Sequence, residues 1–266
     1  MEMDLYNQVK RTIWNMLDID LDHYRDEHMR RRLDTWLLRS GAQDWTKYFK
    51  RLRCDAHELS RFRDYLTINV SSFFRDLDRW KCLEELLARQ LLCEARGRDG
   101  NGGGLRIWSA GCSIGAEPYS LAILLAELSP NGGHHLLATD LDRSALARSL
   151  CRGPYNAEEV QNIALPLLDV YLERGGPPFY VRDCLAHKVE FREHNLLADP
   201  FPEAVDLIVC RNVAIYFTEQ TQNLLYRKFH ASLRAGGILF VGETELVPHF
   251  SEIGFRRIGL SFYQRV

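Results

Sequence analysis

Residues 107–127 read IWSAGCSIGAEPYSLAILLAE. The apolar opening Ile107–Ala110 suits a short strand, and Gly111, Ser113 and Gly115 suit a loop. From about Tyr119 to Leu128 the apolar face Leu121, Leu124, Leu125 and Leu128 suits a helix. Pro118 fits the first turn, where its missing N–H costs nothing. A strand, glycine loop and helix in this order bring unpaired backbone N–H groups close to whatever binds there. The same spacing also occurs in plain tight turns, so the glycines alone leave both readings open. Glu117 narrows the choice: a carboxylate beside the loop repels a pyrophosphate but pairs with an ammonium or sulfonium group.

Working outward, a strand is expected at about His135–Thr139 and a helix from Arg143 to Cys151. Val205–Cys210, VDLIVC, is the continuous apolar run of a strand buried on both faces. Thr218 can cap a helix reaching Arg234, ended by Gly236 and Gly237, before the buried strand Gly237–Gly242. Strands alternating with helices predict an α/β fold with a doubly wound sheet. Tyr171–Phe191, with a Gly/Pro turn between strand-like pieces, interrupts the alternation as a small antiparallel insertion. Residues 1 to about 95 read as helical throughout, with Leu5, Val9, Ile13, Trp14 and Leu17 at helical spacing in the first helix. Further helices are expected at about Arg25–Arg39, Trp45–Leu52, Ala56–Leu66 and Leu77–Leu92. Ala95–Gly104, ARGRDGNGGG, has linker composition.

Three more segments hold candidate site residues. Asp140, at the end of the second strand, stands where an acid accepts hydrogen bonds from ribose hydroxyls in nucleoside-binding folds; Asp140 or Asp142 could instead cap the next helix. Arg211, Asn212 and Tyr216 follow the central apolar strand in CRNVAIYF, where ligands lie in open α/β sheets, though a turn asparagine and a core tyrosine would read the same way. In TINVSSFFR, Asn69, Ser71 and Arg75 flank Phe73 and Phe74, which also suits a helix cap followed by two core aromatics.

Bulk properties exclude several classes. The chain has 266 residues, 46% of them hydrophobic, and a formal net charge of −2, with an isoelectric point near 6.5. A nucleic-acid partner is disfavoured, because neutralising many phosphates calls for a basic surface. No apolar stretch approaches the roughly 18–20 residues of a membrane span, and the N-terminus lacks the apolar core of an export signal; the expected location is cytoplasmic. Seven cysteines without CxxC spacing point to reduced thiols and no metal site, with Cys112 a packing residue. His134 and His135 adjoin after glycines and read as a solvated loop.

Taken in order, TINVSSFFRD, IWSAGCSIGAEPYSLAILLAE, ATDLD, FREHNLL, DLIVCRNVAIYF and GGILFVGETE resemble the CheR family of chemoreceptor glutamate methyltransferases over nearly the whole chain. The resemblance implies an N-terminal all-α domain at 1–74 and an S-adenosylmethionine-dependent methyltransferase domain at 75–266, with a small antiparallel β-subdomain at about 165–193. It places cofactor contacts at Asn69, Ser71, Arg75, Glu117, Asp140, Asn195, Leu196, Arg211 and Asn212, and catalytic roles at Arg75 and Tyr216. Ser71 stands where many members have threonine, and Ala116 where many have a second glutamate. The implied reaction moves a methyl group from S-adenosylmethionine to glutamate side chains of chemoreceptor cytoplasmic domains. A glutamate of ordinary pKa near 4.3 is already ionised at neutral pH, so no general base is required. The implied partner is a helical receptor, to which the run Arg30-Arg31-Arg32 could dock unless it is a solvated face. A short Arg174–Tyr180 loop suggests binding without a C-terminal peptide tether, by a monomer. The rival readings are a non-catalytic S-adenosylmethionine-binding receptor-interaction module, a methyltransferase acting on RNA or a small molecule, and a dehydrogenase using the glycine loop.

Overall fold

Every residue of Val205–Cys210 is buried, as the apolar run requires. The computed structural model describes residues 1–67, 71–99 and 104–266. The chain divides into two compact units, Met1–Asn69 with Ala214–Gln222, and Val70–Val213 with Asn223–Val266.

The first unit holds four helices: α1 Met3–Leu17, α2 Asp26–Arg39, α3 Trp45–Cys54 and α4 Ala56–Thr67. The buried stripe of α1 is Tyr6, Val9, Ile13 and Leu17. Leu5 and Trp14, expected on that stripe, are instead 41% and 48% exposed; the true face lies one residue over and recruits Tyr6. Trp36, Trp45, Tyr48 and Phe62 form an aromatic core, with ring centroids 5.5–6.1 Å apart among Trp36–Phe62, Trp45–Phe62 and Tyr48–Phe62. Glu58 is buried beside it and accepts from Arg51 (2.7 Å) and Arg61 (3.0 Å). The segment 214–222 joins this unit through Tyr24, which packs edge-on against Phe217 (5.0 Å), and through the Arg25 N–H donating to the Tyr216 carbonyl (2.9 Å). The arginine run does not form one exposed patch. Arg30 lies over the Tyr6 ring (4.9 Å), Arg32 lies over Tyr65 (4.4 Å) and donates to its carbonyl, and only Arg31 is exposed.

The second unit carries a seven-stranded sheet: β1 Arg106–Ala110, β2 His135–Asp140, β3 Val189–Glu193, β4 Val205–Cys210, β5 Leu233–Val241, β6 Phe255–Arg257 and β7 Phe262–Arg265. Their order is β3-β2-β1-β4-β5-β7-β6. The first five are parallel, and β7 is antiparallel to both β5 and β6. From β1 the chain steps outward to β2 and β3, then returns to lay β4 on the other side of β1. The carboxyl ends of β1 and β4 therefore flank a topological switch point, where open α/β sheets bind ligands. Helices α5 Leu77–Leu86, α6 Leu92–Asp99, α7 Ala116–Leu128, α8 Arg143–Leu150, α9 Ala157–Val160, α10 Leu165–Tyr171, α11 Asp183–Ala186, α12 Glu219–Ser232 and α13 Phe250–Ile253 complete the chain. A π turn at Leu87–Leu91 joins α5 to α6.

Four expectations shift. Helix α6 runs to Asp99, so the first half of the supposed linker is helical; Ala and Arg favour helix strongly enough to carry it there. Helix α12 stops at Ser232, and Arg234–Gly237 already belong to β5. The antiparallel insertion is reduced to the single bridges Tyr155↔Phe179 and Leu172↔Val181, while its last piece, Val189–Glu193, is a parallel strand of the main sheet beside β2. Ser71–Phe74, expected with the helical domain, belong to the second unit: the Phe73 N–H donates to the Glu159 carbonyl (2.8 Å) and the Phe74 N–H to Ser120 Oγ (2.9 Å). Both phenylalanines enter the core, each contributing about 1.5–3 kcal/mol by burial.

Candidate active site

The loop between β1 and α7 is held by hydrogen bonds to the neighbouring strand. The Gly111 and Cys112 N–H groups both donate to the Thr139 carbonyl (2.8 and 2.9 Å), and the Ser113 N–H donates to Asp140 Oδ2 (2.6 Å). Gly111 (φ 86°) and Gly115 (φ 83°) take left-handed backbone, and a Cβ on Gly111 would fall 2.5 Å from Val213 Cγ2. Ser113 shares the left-handed conformation without being glycine (φ 49°), as do Asn212 just beyond β4 and Phe74 and Asp76 in the segment leading into α5. Strained backbone of this kind persists where surrounding structure dictates it, and it gathers at functional sites.

Glu117 lies in the first turn of α7, 8% exposed, and accepts from Ser109 Oγ (2.7 Å). Burial pushes its carboxyl pKa up; the nearby Arg211 guanidinium (3.9 Å) and the Ser109 bond oppose this, and Glu245 adds to it. Arg211, 7% exposed, donates to Asp76 Oδ2 (2.5 Å) and to the Arg75 carbonyl (2.8 Å), and stands over the Phe240 ring (4.8 Å). Its Nε–H is buried and has no partner among the described residues. Trp80 Nε1 also donates to the Arg75 carbonyl (2.9 Å), so the backbone after Phe74 is pinned from two sides.

The two acids at the end of β2 and just beyond it have separate tasks. Asp142 is fully buried and caps α8, accepting from the Ser144 and Ala145 N–H groups (2.8 and 3.0 Å). Asp140 keeps partial solvent access and accepts from Ser113 and from the Asp142 N–H (2.9 Å). Its surroundings, mostly protein, push its pKa up to about 6, against those backbone bonds. Its own carbonyl receives the His194 N–H (2.9 Å), which brings the end of β3 alongside. Asn195 follows, its Oδ1 accepting from the Leu197 N–H (3.0 Å); Leu196 is buried, and its carbonyl takes Lys228 Nζ (2.9 Å).

Beside the switch point, where open α/β sheets take ligands in a cleft, the second unit thus gathers Arg75, Glu117 and Arg211 in one group, and Asp140 with the end of β3 that leads to Asn195 in another. Asn212 joins through its backbone, which donates to Glu245 Oε2 (2.8 Å). Ser71 is half-buried, and Asn69 lies outside the described residues. Tyr216 belongs to the helical unit. Cys112 and Cys210 are buried, and burial pushes both thiols well up, which suits packing and not nucleophilic attack. Two residues escaped the reading of the sequence, Asp76 and Glu245. Both sit inside quoted motifs, but their partners lie 135 and 33 positions away.

The cleft fits S-adenosylmethionine on its own chemistry. It buries carboxylates that lack full cationic compensation, as a sulfonium and an ammonium require, and it offers an unpartnered guanidinium N–H for a carboxylate. Residues 69–261 match the family described as CheR methyltransferase, SAM binding domain, and residues 4–67 match CheR methyltransferase, all-alpha domain. The chain is 35% identical over 258 residues to the chemotaxis protein methyltransferase of Listeria monocytogenes, covering 97% of this chain and 96% of that one. It is 33% identical over 254 residues to that of Escherichia coli (92% and 85% covered). It is also 33% identical over 266 residues to chemotaxis protein methyltransferase 2 of Pseudomonas aeruginosa (97% and 91% covered). With strand-tip acids, a glycine loop and both domain matches in agreement, the chain belongs to the CheR methyltransferase family and is an S-adenosylmethionine-dependent enzyme.

Proposed function

We propose that this chain methylates glutamate side chains in the cytoplasmic domains of chemoreceptors, giving methyl esters for sensory adaptation. The observation that carries the reading is the pair of imperfectly compensated acids, Glu117 in the first turn of α7 and Asp140 at the end of β2, on either side of the glycine loop. When bound, S-adenosylmethionine supplies an electrophilic methyl on its sulfonium. Asp140 accepts the ribose hydroxyls, Glu117 pairs with the ammonium group, and Arg211 and Arg75 serve the cofactor carboxylate. The family resemblance adds Ser71, Asn69, Asn195, Leu196 and Asn212 to the cofactor residues and gives Tyr216 and Arg75 the catalytic roles. An ionised glutamate attacks without a general base, so the residues of the cleft contribute alignment and exclusion of water.

Receptor docking draws on the helical unit. With Arg30 and Arg32 held on tyrosine rings, Arg31 is the member of the run free to meet an acidic receptor helix. The short loop between Leu172 and Val181 supports binding without a peptide tether, and the working unit is a monomer in the cytoplasm. The test is incubation with radiolabelled S-adenosylmethionine and receptor-containing membranes. Base-labile label released as methanol is expected; label that stays on protein after base, or that appears on RNA, rules the ester reading out.

A further inference from the structure

Glu245 is 4% exposed and lies just beyond the end of β5, in the turn whose Glu245 N–H donates to the Gly242 carbonyl (3.1 Å). One oxygen, Oε2, accepts two backbone N–H groups: that of Gly242 at 2.7 Å and that of Asn212 at 2.8 Å. These donors follow the last paired residues of the central strands, Cys210 on β4 and Val241 on β5. The carboxylate therefore bridges the two strand tips where their ladder has ended. Its reach depends on Gly242, because a Cβ there would fall 2.7 Å from Oε2 and 3.0 Å from the Asn212 nitrogen. At the other end of the bridge, Asn212 stands at φ 58°, in the left-handed region that asparagine tolerates better than most non-glycine residues.

We propose that Glu245 is a positioning residue for the cofactor cleft, its carboxylate clamping the Asn212 backbone in the left-handed conformation that presents the Asn212 side chain to the ligand. The proposal rests on the reading of Asn212 as a cofactor residue. One acceptor oxygen that reaches both backbone donors can hold such a conformation. The buried charge also has a cost, since Glu245 helps push the neighbouring Glu117 pKa up.

Reach and charge separate in two variants. E245D keeps the charge but withdraws it by one methylene; E245Q keeps the reach and loses the charge. Calorimetric titration of the full chain with S-adenosylhomocysteine should show E245D weakened by about tenfold or more and E245Q within about threefold of wild type. In an N212A background the E245D penalty should shrink to under about threefold, because coupled residues do not add. Wild-type affinity in E245D, or E245Q as weak as E245D, overturns the clamp. N212A alone reports on the reading beneath it. Unchanged affinity there sinks that reading together with this route, whereas a weakened N212A with an unaffected E245D sinks the clamp alone.

Discussion

At the amino ends of the strands, Asp206 is 1% exposed and accepts from Arg234 Nε (2.6 Å) and from the Arg106 N–H (2.8 Å), while Arg234 reaches on to Glu94 (2.6 Å). At the carboxyl ends of the same sheet, Glu117 and Asp140 are surrounded by protein with their charge only partly answered, and both pKa values rise. One sheet thus buries acids in two ways. The amino-end network is closed within the protein and ties α6, β1, β4 and β5 together. The carboxyl-end acids are held by backbone and hydroxyl donors, and the guanidinium beside Glu117 stands off at 3.9 Å. Stability and ligand binding are accordingly assigned to opposite edges of the fold, in keeping with the rule that open α/β sheets bind ligands beyond the carboxyl ends of their strands.

Breaking the amino-end network should have the largest effect. Asp206→Ala leaves Arg234 with half of its compensation and is expected to lower stability by about 3–5 kcal/mol in denaturant melts. Affinity of the folded protein for S-adenosylhomocysteine should stay within about twofold of wild type, since nothing at the carboxyl ends has changed. A selective loss of affinity would break the division of labour.

The opposite sign is expected at Asp140. Its native pKa of about 6 lies above the ordinary 3.8, so between those values the folded chain binds the proton more tightly than the unfolded one. Its contribution to stability therefore falls as pH rises through that window, and the full cost is present above about pH 6. Asp140→Asn removes the buried charge and should raise stability at pH 7 by about 1–2 kcal/mol while flattening the pH dependence between 4 and 6. A destabilised variant would mean that the two backbone bonds to the carboxylate outweigh its desolvation. The smallest change is expected at Cys112→Ala: about 1 kcal/mol of stability from lost packing, with methyl transfer unaltered.

What the sequence disclosed follows the range of the interactions involved. Val205–Cys210 was legible because burial on both faces makes it apolar at every position except Asp206, and the β1–α7 loop because glycine, proline and an acid each mark a local geometry. Strand β3 was read as part of the antiparallel insertion and not of the main sheet: at the sheet edge its EFRE residues are mostly exposed and carry no apolar run. Residues 95–99 read as linker because the glycines beyond them dominate the composition, although Ala and Arg sustain the helix. At the site, Glu117 and Asp140 announced themselves by position in a strand–loop–helix unit. Asp76 and Glu245 did not, because a carboxylate accepting from Arg211 or from the Asn212 backbone is defined by tertiary pairing that no local pattern encodes.

Calorimetry with S-adenosylhomocysteine on wild type and Asp140→Ala addresses the carboxyl-end cleft most directly. Binding in the low-micromolar range or tighter is expected for wild type, with a loss of roughly 1.5–3 kcal/mol, or about 10–150-fold, in the variant. Wild-type affinity should weaken as pH falls below about 6 and Asp140 takes up its proton, a dependence the variant should lack. Equal affinities for the two proteins at neutral pH, or identical pH profiles, would contradict the account.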